Sequence, residues 1–312
     1  MNLVKLLLLL AAFAALAEAL VGGQSAPQLA ETGHCREALP LLKADLAKAP
    51  AADMRKRLGV DGVRCGMTLD DMDATLDFLR GLNKSFPADA EVLYLTVHVF
   101  SDLSVRASHK LMRSDPSSYQ VHELNAEALE TQGKWGDAEA EYREVLKKDP
   151  QLPGIHYRVA RLLLSAPPAG TQADAKAKAR RELEEELKID PNNAGAEYVL
   201  GELARQDGKD PDAIDHFSRA TKLDAGFEDA FVGLGRALLS ADRAVDAIPP
   251  LETAVKLDPD SPIAHFNLAT AYSRAGRKED AARQFSLLKQ VSDKLNQTKE
   301  QVRQGIAGAP PQ

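Results

Sequence analysis

Long apolar runs are almost missing from this 312-residue chain, and the one that exists, Leu6 to Ala17, stops at Glu18. A run of about a dozen residues is short of the ~20 that a spanning helix needs, so a stable membrane span is not expected. A basic excess is missing too: 39 lysines and arginines stand against 46 aspartates and glutamates, for a net charge of -7. That leaves no footprint for nucleic acid. Aromatic residues make up 5% of the chain and cysteines number two, so neither a large aromatic core nor a dense disulfide framework is in question. The motifs of catalysis are equally scarce. There is no Gly-rich phosphate loop, no Gly-x-Ser-x-Gly elbow and no nucleophile beside a base. His122-Glu123 opens like a zinc-protease helix, but Ala126 stands where the second histidine belongs. The expectation is a chain without catalytic residues, cofactor or metal.

What the chain does have is a pattern written three times at a period of 34 residues between Ala194 and Leu288. Leu200-Gly201, Leu234-Gly235 and Leu268-Ala269 correspond, as do Ala213, Ala247 and Ala281, and Phe217, Leu251 and Phe285. Small residues let a neighbouring helix approach to 8–10 Å, and the large residue four positions on fills the space they leave. Gly208 and Gly276 suit the left-handed conformation that ends a helix, and Asp190-Pro191 and Asp258-Pro259 stop the second helix of a pair. This spacing resembles the tetratricopeptide repeat (TPR), a helix-turn-helix unit. The resemblance implies an all-α TPR-type solenoid, stabilised by stacking neighbours and working by binding rather than by catalysis.

Taken in order, residues 1–23 read as a secretory signal peptide, with Lys5, an apolar run and small residues to Gly23; a membrane anchor is the alternative. Residues 24–116 read as degenerate repeats. Gly33, Ala38, Leu42 and Pro50 keep the intervals of a second half-repeat, residues 52–64 and 69–84 form a pair closing at Pro87, and a shortened pair follows to Asp115-Pro116. Residues 117–290 carry regular repeats, with seven extra residues around Ser165 to Gly170 and a capping-box start at Thr171 and Asp174. A capping helix extension is expected over 291–306, through Val291, Leu295 and Val302, and a frayed tail over 307–312. Length fits one elongated repeat domain.

Cys35 begins one unit's second helix, and Cys65 ends the next unit's first helix. In a stacked array both ends point to one edge in adjacent layers, so a disulfide is sterically reasonable; the alternative is two buried thiols that never meet. Export to an extracytoplasmic, periplasmic or secreted compartment would favour the bridge. His122, His156 and His265 occupy equivalent places in three first helices, too far apart to share one metal ion, and read as partly buried spacers. The acidic run Glu184-Glu185-Glu186 and the pair Asp70-Asp71 read as solvated faces.

In proteins that this chain resembles, the first helices line the face that holds peptides. By register that wall comprises Glu123, Glu127 and Glu130, then Tyr157, Arg158, Arg161 and Leu164. Tyr198, Glu202, Arg205 and Arg236 follow, then Phe266, Asn267, Thr270 and Arg274. The lysine and asparagine clamp of the family's chaperone-binding members is absent. Five arginines opposed by Glu202 and Asp229 predict a wall acidic in its first repeat and basic thereafter, suited to an acidic peptide across residues 157–274. The partner is thus a protein or peptide, with a role in envelope assembly or secretion as the resemblance implies; a self-associating structural protein is the second reading, and an enzyme with an unrecognised site the third. Oligomeric state is not legible.

Overall fold

In a computed structural model, which describes residues 24–49, 51–165 and 172–307, the chain forms fifteen α-helices and no strand among the described residues. The signal-like segment 1–23, Pro50, the inserted stretch 166–170 with Thr171 of its capping box, the side chain of Val302 and the tail 308–312 lie outside the described residues. The helices divide into two compact units, one ending at Ser114 and the other starting at Asp115, where the sequence suggested a single domain.

Unit 1 holds α1 (Ala26–Glu31), α2 (Cys35–Lys48), α3 (Ala52–Thr68), α4 (Met72–Ser85) and α5 (Ala90–Ser114). Three glycines of α3 face α4 at the spacing of one helical stripe. A Cβ on Gly59 would stand 2.7 Å from Leu82, and those on Gly62 and Gly66 would collide with Phe78 and Thr75. Only glycine allows this approach. Cys35 and Cys65 are bridged, with Cα atoms 4.9 Å apart, so the juxtaposition derived from stacked hairpins is realised. The shortened pair expected before Asp115 is instead one 25-residue helix, α5. From Ala90 to Ser114 there is no glycine or proline, and hence nothing to end a helix. This helix touches the rest of the unit along one edge, through Val92 and Val99 and an Asn83–Thr96 hydrogen bond of 2.9 Å.

Unit 2 contains five pairs: α6 (Tyr119–Thr131) with α7 (Trp135–Lys148), α8 (Ile155–Ser165) with α9 (Gln172–Ile189), α10 (Ala194–Gln206) with α11 (Asp210–Leu223), α12 (Glu228–Ser240) with α13 (Ala244–Leu257), and α14 (Pro262–Arg274) with α15 (Lys278–Ala307). Ala213, Phe217, Ala247 and Leu251 are fully buried. Gly201 and Gly233 both lie against Phe217, where added Cβ atoms would come within 2.8 and 2.6 Å. Phe217 is therefore held by its own first helix and by the next repeat's.

The last copy departs from this. Phe285, expected in the same packed role, is 43% exposed, because no further first helix covers it among the described residues. α15 does run on past the repeat boundary. It buries Val291 and ties Lys294 to Asp260 at 2.7 Å, yet leaves Phe285 open.

One turn joins the two helices in six of the pairs. The amides of His34, Asp71, Lys134, Lys209, Arg243 and Arg277 each donate to the carbonyl five residues back, the bond that closes a helix in a left-handed cap. The residue before each of these amides has positive φ: glycine at 33, 133, 208 and 276, but Asp70 at 57° and Asp242 at 58°.

Candidate peptide-binding face

The wall lies in unit 2 and is built from the first helices α6, α8, α10, α12 and α14. N-caps start three of these helices: Ser118, Asn193 and Ser261 accept from the amides of Val121, Ala196 and Ala264. α8 follows Pro153-Gly154 and has no such side chain. A carboxylate from the second helix replaces it. Glu186 is fully buried and accepts from the amides of Gly154 (2.7 Å) and Tyr157 (3.2 Å) and from the Asn193 side chain (3.0 Å). It stands where Ala220 and Ala254 stand in later repeats. The reading of Glu184 to Glu186 as a solvated face is thus corrected for Glu186, whose charge stabilises the positive end of α8. Asp71 is likewise an N-cap, accepting from the Ala74 amide at 2.9 Å.

The histidines are more than spacers. Nδ1 of His122 lies 2.7 Å from Glu141, that of His156 2.6 Å from Glu182, and that of His265 2.8 Å from Gln284. In the repeat of α10 the two residue types exchange places: Glu197 is on the first helix and His216, at 2.6 Å, on the second. In the repeat of α12 the same two positions hold Phe231 and Pro250. A polar pair joins the two helices of four repeats out of five. The signal was a complementary partner 19 residues downstream, or 26 across the insertion. His156, with Arg143 at 2.9 Å, holds the Glu182 carboxyl below its ordinary range against the opposing effect of burial.

The predicted wall residues meet different fates. Arg158 reaches back to Glu127 at 3.0 Å and to the Tyr142 hydroxyl at 3.0 Å, while Tyr142 donates to Glu130 at 2.6 Å. Arg158 therefore neutralises the acidic patch it was expected to oppose. Burial and the bond to Glu130 push the Tyr142 hydroxyl well above its usual range. Arg205 is held by Glu202 of its own helix at 2.8 Å. Arg274 donates to the Leu239 carbonyl at 2.9 Å. Arg161, over the Tyr157 ring, and Arg236 have no acidic partner within ion-pair distance among the described residues.

The apolar members also divide. Tyr157 packs against Gly195, where a Cβ would approach its hydroxyl to 2.8 Å. Tyr198 sits between Phe217 and Phe227, at ring distances of 5.7 and 4.9 Å, and burial pushes its hydroxyl up to about 12. Phe266 is half exposed and Leu164 partly so. Asn267 is nearly buried, with its amide donating to the Ile263 carbonyl at 2.7 Å, so it faces the fold rather than a ligand. Thr270 donates to the carbonyl of Phe266.

The tetratricopeptide repeat family model matches residues 103–167, 172–226 and 232–291. A curated relative, the CTR9 homolog of Arabidopsis thaliana, is 39% identical over 75 residues, which are 23% of this chain and 7% of that protein. Among solved structures, a double mutant of MamA from strain RS-1 shares 17% identity over 57% of this chain and 97% of its own, with a TM-score of 0.51. YrrB, described as a TPR protein with an unusual peptide-binding site, shares 17% identity over 59% of this chain and 92% of its own, with a TM-score of 0.49. At 17% identity the MamA structure speaks for the fold alone.

Proposed function

Because the chain belongs to the tetratricopeptide repeat family, we propose that it is a non-catalytic scaffold whose second unit holds an acidic or carboxylate-bearing segment of another protein. The observation that carries this reading is the charge left over on the first helices. Arg161 and Arg236 have no acidic partner within ion-pair distance among the described residues, and Arg274 is bound only by a carbonyl. Beside them Phe266 and Tyr157 offer apolar surface, and Tyr and Arg are enriched where binding energy concentrates. On a chain of net charge -7 such a cluster favours an anionic segment by field as well as by contact.

The signal-like residues 1–23 and the Cys35–Cys65 bridge support export to an oxidising compartment. There an envelope-assembly or secretion role suits the family resemblance, with 24–116 as degenerate repeats, 117–290 as the binding array and 291–306 as its cap. Reversing Arg161 and Arg236 to Glu weakens binding of an acidic peptide by about tenfold or more and flattens its salt dependence. Reversing Lys147 and Lys148, on the second helix α7, leaves both unchanged. Equal losses from the two double variants would place the binding surface elsewhere.

A further inference from the structure

Asp61, in the middle of α3, is only 5% exposed, and its Oδ2 is buried without a hydrogen-bond partner among the described residues. Arg64, one turn on, stands 4.0 Å from the carboxyl, outside hydrogen-bond reach, with 68% of its own side chain in solvent. A carboxylate held in this way is costly unless something pairs with it. Burial accordingly holds the carboxyl above its ordinary range, against the opposing effect of Arg64 and Arg57. Yet Asp61 is not sealed in the core. It lines a polar cleft of about 330 Å³ within unit 1. Asp53, Arg57, Asp61 and Arg64 follow at intervals of four, four and three residues along one face of α3, and α1 and α5 contribute Glu31 and Glu91.

The pairing of the other charges selects the ligand. Lys56 holds Asp89 at 2.9 Å and Glu91 at 2.8 Å, and Arg57 holds Glu31 at 2.7 Å, so these cations are neutralised and offer little to an anion. The group with unused capacity is the buried carboxyl, an acceptor when ionised. Its terminal torsion is broad and two-fold, so Oδ2 can be turned to a donor that enters the cleft. No three His, Cys, Asp or Glu side chains are placed to share a metal ion among the described residues, which leaves an organic cation with directed N–H groups. An ammonium is strongly hydrated and would have to be stripped to reach so enclosed a carboxyl. A guanidinium is planar, weakly hydrated and presents paired N–H groups that match the two carboxylate oxygens. We propose that this cleft is a binding site for a guanidinium group, with the Asp61 carboxylate as its acceptor. The site lies wholly in unit 1 and prefers the charge opposite to that favoured by the wall in unit 2, so neither depends on the other.

Titration of the isotope-labelled full chain with methylguanidinium and with the capped tripeptide Ac-Gly-Arg-Gly-NH2, followed by amide chemical shifts, tests the site. Saturable shifts are expected in α3 around Asp61 and at Glu31, with unit 2 unmoved. Tighter binding of the tripeptide assigns the site to a partner's arginine, and tighter binding of methylguanidinium to a free cation; both support a guanidinium site. Ac-Gly-Lys-Gly-NH2 binds several-fold more weakly, and equal affinity would reveal a general attraction for cations and overturn the proposal. Asp61→Asn loses about tenfold or more in affinity. Its melting temperature does not fall, because the amide replaces a buried charge that has no partner. Lowering the pH from about 7 to about 4 weakens binding in the wild type more steeply than in Asp61→Asn, which keeps the other carboxylates of the cleft, Glu31, Asp53 and Glu91. An Asp61→Asn protein that binds like the wild type overturns the proposal, as does a wild type that binds neither probe because Arg64 occupies the carboxyl.

Discussion

The two units bury helices of similar length by different means, and the difference shows what repetition supplies. In unit 2 each large residue, such as Phe217, is enclosed by its own pair and by the next, so every interface is a copy of the one before. In unit 1 the first described helix, α1, has six residues and can cover little of α2 and α3. A covalent bridge and a three-glycine contact do there what a full neighbouring repeat does in unit 2. The array also shows its open end in unit 2, where Phe285 lacks the neighbour that covers Phe217.

The largest effect should come from the bridge. Replacing Cys35 and Cys65 with Ser, which opens a loop closed over 30 residues, should destabilise unit 1 by roughly 3–4 kcal/mol on the loop-entropy account. Hydrogen exchange should show faster opening in α1 to α4 and unchanged protection in α10 to α13. Equal loosening of both units would erase the distinction between them.

A smaller loss, confined to unit 2, should follow Glu186→Ala. The amides of Gly154 and Tyr157 and the Asn193 side chain lose a buried acceptor, at a cost of roughly 2–3 kcal/mol. Denaturant midpoints should resolve this, and Glu186→Gln, which keeps an acceptor, should recover part of it. If Glu186→Ala matched the wild type, the carboxylate would not be the cap of α8.

The smallest effect should be one of pH. Glu182 has a folded pKa lowered below the ordinary 4.5, so its contribution is present above that value and is lost as pH falls through the folded pKa. Melting temperatures taken from pH 5 downward should therefore decline less steeply in Glu182→Gln than in the wild type. Unit 1 has no histidine–carboxylate pair among the described residues, so this difference should report on unit 2 alone. Parallel pH curves for variant and wild type would remove Glu182 from the account.

By itself the sequence determined the repeat, its register and the edge at which Cys35 meets Cys65. All three follow from the intervals between small, large and turn residues, and a helical hairpin converts such intervals directly into position. The turns were legible for the same reason, although Asp70 and Asp242 adopt the left-handed conformation without glycine's signal. Only the tertiary structure decided which charges are spent. Arg158 and Arg161 are three residues apart on one helix, yet Arg158 is bound by Glu127 of the preceding repeat and Arg161 is left free of acidic partners among the described residues. Glu186 looked solvated among its neighbours and is buried, because the helix end it caps, at Gly154, lies 32 residues earlier. Burial depends on what lies opposite a side chain, and in this fold the opposite surface belongs to a helix that the local sequence does not contain.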